Sequence, residues 1–186
     1  MLSKKDIEKR VEKGDLEIDP WNPSNLKPAS LAVHLDDEIA EPKNGEIDPL
    51  SEEDYDKHFE KRELSSGEVI KLGPGDFILA KTWESFGLPK DLAALMDGKT
   101  TLARLGISVT QGAMLVHPGS GKPEPRKIIL EIKNDGPFIV KLTNDMQIGE
   151  VFFHELETPS DVGYDEGWDY GQRENLNELT PMVESF

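Results

Sequence analysis

From Val69 onward the chain is a succession of short apolar segments cut apart by glycine and proline, and this pattern leaves few folds open. Val69–Leu72, Phe77–Thr82, Ile107–Gln111, Ile128–Asn134, Phe138–Leu142 and Gly149–Leu156 all have strand length and strand-like patterning. Leu31-Ala32-Val33-His34-Leu35 alternates in the same way earlier on. Many short strands with turns at close spacing predict a mainly β domain, a sandwich or barrel-like fold. Leu88–Met96, with Asp91 inside it, reads as a loop or one helical turn.

The two ends differ from this pattern. Ser3-Lys4-Lys5-Asp6 reads as a capping-box variant, and Leu2, Ile7 and Val11 follow at near-helical spacing. Gly14 is a natural stop, so a short helix is expected over residues 3–13. Residues 40–67 are polar and acidic, broken by Pro42, Gly45, Pro49 and Gly67. They read as an excursion from the sheet with a short helix around Glu52–Glu60. Residues 159–186 are rich in glycine and proline yet carry Tyr164, Trp168, Tyr170 and Phe186. Aromatics in such a tail need something to pack on. The expected division is a β domain over residues 1–158 and a C-terminal tail over 159–186.

Charge excludes some partners. The net charge is -16, which argues against nucleic-acid binding. The acids are unevenly spread. Residues 36–68 hold thirteen acids against four bases, and residues 155–186 hold nine against one. Residues 69–154 are near neutral, with nine acids and ten bases, so an anionic substrate is admissible there. No apolar run has membrane-spanning length. Lys4, Lys5, Lys9 and Arg10 have no apolar stretch behind them, so no signal peptide is expected. Cysteine is absent, which removes disulfides and thiolate metal sites. A cytoplasmic protein with no membrane partner is the expectation.

One run within the neutral segment carries chemistry: Gly98-Lys99-Thr100-Thr101-Leu102-Ala103-Arg104-Leu105-Gly106. Two hydroxyls and two cations follow a glycine at the start of a helical turn, an arrangement suited to a polyphosphate. It is not a P-loop, because Ala93 stands where the first glycine of that motif belongs. Downstream, Ile128-Ile129-Leu130-Glu131-Ile132 puts one carboxylate in an apolar strand-like run. Burial raises the pKa of such a group and lets it shuttle protons near neutrality. The histidines His34, His58 and His154 have no metal-ligand spacing. The His-x-Glu and Pro-Cys-x-x-Cys signature of zinc deaminases is missing as well.

The Gly98–Gly106 run resembles the Gly-Arg-Ser-Ser-Leu-Ala-Arg-Leu-Gly motif of dCTP deaminases, members of the trimeric dUTPase superfamily. Other pieces stand in family order: Leu2-Ser3 with Asp6-Ile7, Lys27-Pro28-Ala29-Ser30, Pro74-Gly75-Asp76-Phe77-Ile78-Leu79-Ala80, Pro118-Gly119, Leu130-Glu131 and Tyr170-Gly171-Gln172. The resemblance implies a distorted jelly roll or β-barrel of the dUTPase-like type, assembled as a homotrimer with sites between subunits. It implies zinc-independent deamination of dCTP to dUTP and ammonia, with Mg2+ accompanying the triphosphate.

By the same resemblance Glu131 is the catalytic carboxylate and Thr100 assists it. Lys99, Thr100, Thr101 and Arg104 hold the triphosphate. Ala113, His117, Tyr164, Tyr170 and Gln172 complete the substrate site, the last two on a tail that closes as a lid. Several positions depart from the family pattern. His117 replaces an aspartate that in related dUTPases contacts the sugar and activates water. Histidine bonds a hydroxyl and acts as a base near neutrality, but does not reproduce a carboxylate. Ala32 also stands in place of an aspartate, Lys99 in place of an arginine, and Asp169 in place of a lysine. Met114 and Leu115 replace a His-Arg pair, and the Ser120–Lys127 loop is long. Arg126 or Lys122 from that loop could supply a compensating cation. Two alternatives therefore stand beside deamination. One is a dUTP pyrophosphatase or bifunctional enzyme, against which His117 counts. The other is a non-catalytic nucleotide-binding homologue.

Overall fold

The computed structural model describes residues 1–48 and 57–167. The chain opens with helix α1 (Lys4–Lys13), set by its ends. The Ser3 hydroxyl accepts from the Asp6 amide at 3.4 Å while the Asp6 carboxylate accepts from the Ser3 amide at 3.2 Å, a reciprocal capping box. Gly14 closes the helix with φ +78°, a left-handed conformation that a Cβ would oppose. Ile7 is fully buried beneath α1, and the Leu2 amide bonds to the Phe153 carbonyl at 2.7 Å, seating the helix on the sheet.

Strands come next: β1 (Glu17–Asp19), β2 (Leu31–Pro42), β3 (Phe59–Glu63), β4 (Val69–Leu72), β5 (Phe77–Gly87) and β6 (Leu92–Gly98). A four-residue helix, α2 (Thr100–Ala103), precedes β7 (Ile107–Ser108), β8 (Leu115–Val116), β9 (Arg126–Asn134), β10 (Val140–Thr143) and β11 (Gln147–Glu155). The one-turn helix α3 (Tyr164–Gly167) ends the described chain. The main sheet has the order β7-β9-β5-β2-β11-β6-β8, with β1 on β5 and β3 on β2. The named strand pairings are antiparallel. β4 and β10 form a separate ribbon. The mainly β architecture expected from the sequence is therefore present, built on one nine-stranded sheet and a two-stranded ribbon among the described residues.

The core is lined by the inward positions of these strands. Leu31, Leu35 and Ile39 of β2, Leu130 and Ile132 of β9, and Val151 and Phe153 of β11 are at most 1% exposed. Asn134 binds the ribbon to this core. It is fully buried, and its side-chain amide donates to the Leu72 carbonyl at 2.8 Å and the Phe138 carbonyl at 2.7 Å.

Some expected boundaries differ. Leu92–Gly98 is a strand, not a loop or helical turn: β11 pairs with it along its whole length, Phe153 against Ala94 and Val151 against Met96. The acidic excursion begins later than expected, because β2 runs on to Pro42. The helix expected around Glu52–Glu60 falls partly outside the described residues; Lys57 and His58 are helical, and Phe59 and Glu60 belong to β3. They pair with Pro42 and Glu41, whose backbone groups need those bonds. The strand expected over Ile107–Gln111 is only two residues long. Gln111 takes φ +40° and leaves the sheet. β10 begins at Val140, so Phe138 and Ile139 lie outside it and are exposed.

Candidate active site

From Leu130 onward strand β9 alternates, and that alternation places the carboxylate. Leu130, Ile132 and Asn134 face the core, so Glu131 between them points to the other side. It is held opposite Leu79 of β5, and an isolated parallel bridge joins it to Thr110. Its Oε2 atom is buried without a protein hydrogen-bond partner. Burial penalises the charged form and pushes the Glu131 pKa up to about 7. A carboxyl group poised there can both take and give a proton at neutral pH.

Glu131 opens into a cavity of about 300 Å³, at the lower end of the range for small-molecule sites. Ala113, Leu115, His117, Phe86, Arg126 and Tyr164 are among its lining residues. The His117 and Tyr164 rings are stacked, 5.1 Å between centroids and 2° from parallel. Backbone contacts bring them together. The Tyr164 amide donates to the Pro118 carbonyl at 2.8 Å, and Gly163 lies so close to Gly119 that a Cβ there would stand 2.4 Å from the Gly163 Cα.

The structure thus unites Glu131, Ala113, His117 and Tyr164 around one cavity. It does not bring Lys99, Thr100, Thr101 or Arg104 to that cavity within one chain. These sit on and beside α2, where Thr100, Thr101 and Arg104 are exposed. Lys99 is tethered, its Nζ donating to Gln147 Oε1 at 2.9 Å and its amide to the Ile148 carbonyl at 3.1 Å. Tyr170 and Gln172 lie outside the described residues. One wall residue and its ion-pair partner had little or no sequence signal. Arg126 was visible only as one of two spare cations in a long loop. Asp165, which pairs with it, was one acid among many. Among the described residues no cluster of three or more His, Cys, Asp or Glu side chains could hold a metal ion.

A sequence model described as dCTP deaminase-like matches residues 1–156. The chain belongs to this family. It is 36% identical over 169 residues to a dCTP deaminase of Haloarcula marismortui, covering 88% of this chain and 85% of that one. It is 33% identical over 171 residues to a dUMP-forming dCTP deaminase of Corynebacterium efficiens, covering 90% and 85%. In fold it is similar to the 2′-deoxycytidine 5′-triphosphate deaminase of Agrobacterium tumefaciens, with a TM-score of 0.63 at 19% identity. That match takes in 83% of this chain and 48% of the solved one, so this chain spans about half the length of that structure. The dCTP deaminase-type fold expected from the motifs is the fold observed.

Proposed function

We propose that this protein hydrolytically deaminates dCTP to dUTP and ammonia. The observation that carries this reading is the buried carboxyl of Glu131, with Oε2 unpaired by protein, at a cavity of small-molecule size. Glu131 takes a proton from water as the water oxygen bonds to C4 of cytosine. Glu131 delivers that proton to N3; the proton of the new C4 hydroxyl then passes by way of Glu131 to the exocyclic nitrogen, the C4–N4 bond breaks, and ammonia leaves with C4 as a carbonyl. Names carried by the relatives support the same substrate.

Triphosphate recognition falls to Lys99, Thr100, Thr101 and Arg104, with Mg2+ accompanying the phosphates. Because α2 does not line the Glu131 cavity of its own chain, the complete site is read as forming between copies in a homotrimer. Thr100 of one copy would then reach the Glu131 cavity of the next. The tail with Tyr170 and Gln172 is read as a lid. No described helix is long and apolar enough to cross a membrane. A cytoplasmic enzyme of deoxynucleotide metabolism fits this reading.

A dUMP-forming activity is the second reading, favoured by the naming of the Corynebacterium relative. His117 stands against it, since no carboxylate occupies that position to activate water for pyrophosphate hydrolysis. One experiment separates the readings: incubate the protein with dCTP and with dUTP in the presence of Mg2+, and assay ammonia and pyrophosphate. Ammonia alone is expected. Pyrophosphate would establish the second reading, and neither product would leave a nucleotide-binding homologue.

A further inference from the structure

The carboxylate of Asp165 uses both its oxygens on one loop. Its Oδ2 accepts from the Gly121 amide at 2.9 Å and the Lys122 amide at 3.3 Å, and its Oδ1 accepts from the Arg126 guanidinium. The side chains of Asp165 and Arg126 are each 15% exposed, so the pair is largely shielded from water. These bonds join residues about forty positions apart in sequence. Nothing in the local chain brings them together.

The loop they reach, Ser120–Lys127, rests on the end of β5. The Leu88 amide donates to the Ser120 carbonyl at 2.9 Å. A Cβ on Gly121 would stand 1.9 Å from the Phe86 carbonyl oxygen. Gly121 has φ +69° and no side chain, so the loop can lie directly against the strand. Asp165 itself lies on α3, a single turn that cannot hold its own shape in water. Its position depends on tertiary bonds: the Tyr164 amide to Pro118, the Ser160 amide to the Lys90 carbonyl at 2.9 Å, the Glu166–Lys90 ion pair, and the bonds of Asp165. Asp165 is also the next residue after Tyr164, whose ring covers His117 in the wall of the Glu131 cavity.

We propose that Asp165 is a positioning residue: by clamping Arg126 and the Gly121 and Lys122 amides, it locks the Ser120–Lys127 loop to α3 and fixes the Tyr164–His117 wall beside Glu131. The inference rests on the reading of that cavity as the dCTP site. Asp165 itself touches no reacting atom, so its effect is on how often the wall is formed before substrate arrives. If removing the clamp leaves the wall formed about one-tenth of the time, apparent affinity falls about tenfold, while turnover at saturation is kept because bound substrate selects the formed wall. A role in global folding alone would instead reduce the amount of active protein and leave KM where it was.

The test compares the wild-type protein with Asp165→Ala and Asp165→Asn. Asparagine keeps a carbonyl oxygen for the two amides and drops the charge opposite Arg126. Expected for Asp165→Ala is a rise of about tenfold in KM for dCTP with kcat within a factor of about two. Asp165→Asn should fall between it and the wild type. Hydrogen exchange at the Gly121 and Lys122 amides should quicken in Asp165→Ala, with the β5–β9 amides unchanged. If alanine prevents folding, the asparagine variant carries both measurements. A wild-type KM, or wild-type exchange at those two amides, overturns the clamp. If the wild-type protein frees no ammonia from dCTP, the functional reading fails, and exchange alone then decides the clamp.

Discussion

At the scale of the single residue, Glu131 joins an unfavourable burial to a useful charge state. Glu131→Gln keeps the shape of the side chain and removes its base. Deamination should fall by roughly 10²–10⁴-fold, with dCTP binding by calorimetry largely retained. In the wild-type protein the acid limb of kcat/KM should have its midpoint near pH 7, where the buried carboxyl ionises, rather than near its ordinary value of 4.5. Stability carries the opposite signature. Between about 4.5 and 7 the folded protein holds a proton that the unfolded chain has released, so folding is disfavoured as pH rises through that window. Above 7 the whole penalty is present. Glu131→Gln abolishes it, so the variant's gain in Tm over the wild type should be larger at about pH 8 than at about pH 5. For a chain of this size the shift is about 2–4 °C per kcal/mol relieved. An equal Tm difference at both pH values would mean that Glu131 is not penalised by burial.

At the scale of elements, α2 and its flanks are where phosphate recognition is tested. Arg104 is exposed and offers two parallel N–H donors, so Arg104→Ala should weaken dCTP binding far more than deoxycytidine binding in parallel titrations. Equal losses would place Arg104 away from the phosphates. How much the sequence disclosed about each element depends on how local its causes are. α1 was legible at both ends because Ser3, Asp6 and Gly14 act within a few residues of one another. β6 was not. Its Leu-Ala-Ala-Leu-Met run is made of good helix formers, and pairing with β11 overrides that preference. β3 reads Phe-Glu-Lys-Arg-Glu, the charged face of an edge strand, which leaves little apolar pattern to find. The site divides along the same line. Glu131 could be found because a carboxylate inside an apolar strand is locally odd. The Asp165–Arg126 pair could not, because its meaning lies in contact between distant segments.

At the scale of the molecule, the proposed site is read as completed by a neighbouring copy in a homotrimer, because α2 does not line the Glu131 cavity of its own chain. Sedimentation at micromolar concentration should therefore show a trimer; a stable monomer that still turns over dCTP would break the argument. The tail can be dissected in the same preparation. Ending the chain after Gly167 keeps Tyr164 and Asp165, whereas ending it after Thr158 removes both. Both truncations should leave the β domain folded, since the main core cluster runs from Leu2 to Phe153 among the described residues. The shorter chain should show the larger rise in KM, and equal values would mean that the described part of the tail contributes nothing to the site. The alternation of β9 also governs how this protein can vary in length. A residue gained or lost around Pro123–Pro125 is taken up before β9 begins at Arg126 and leaves Leu79 opposite Glu131. One lost between Ile128 and Leu130 shifts the parity of every later strand position, turning the carboxylate into the core and a leucine or isoleucine toward the cavity. Insertions and deletions are thus permitted before Arg126 and forbidden in odd numbers within the strand that follows.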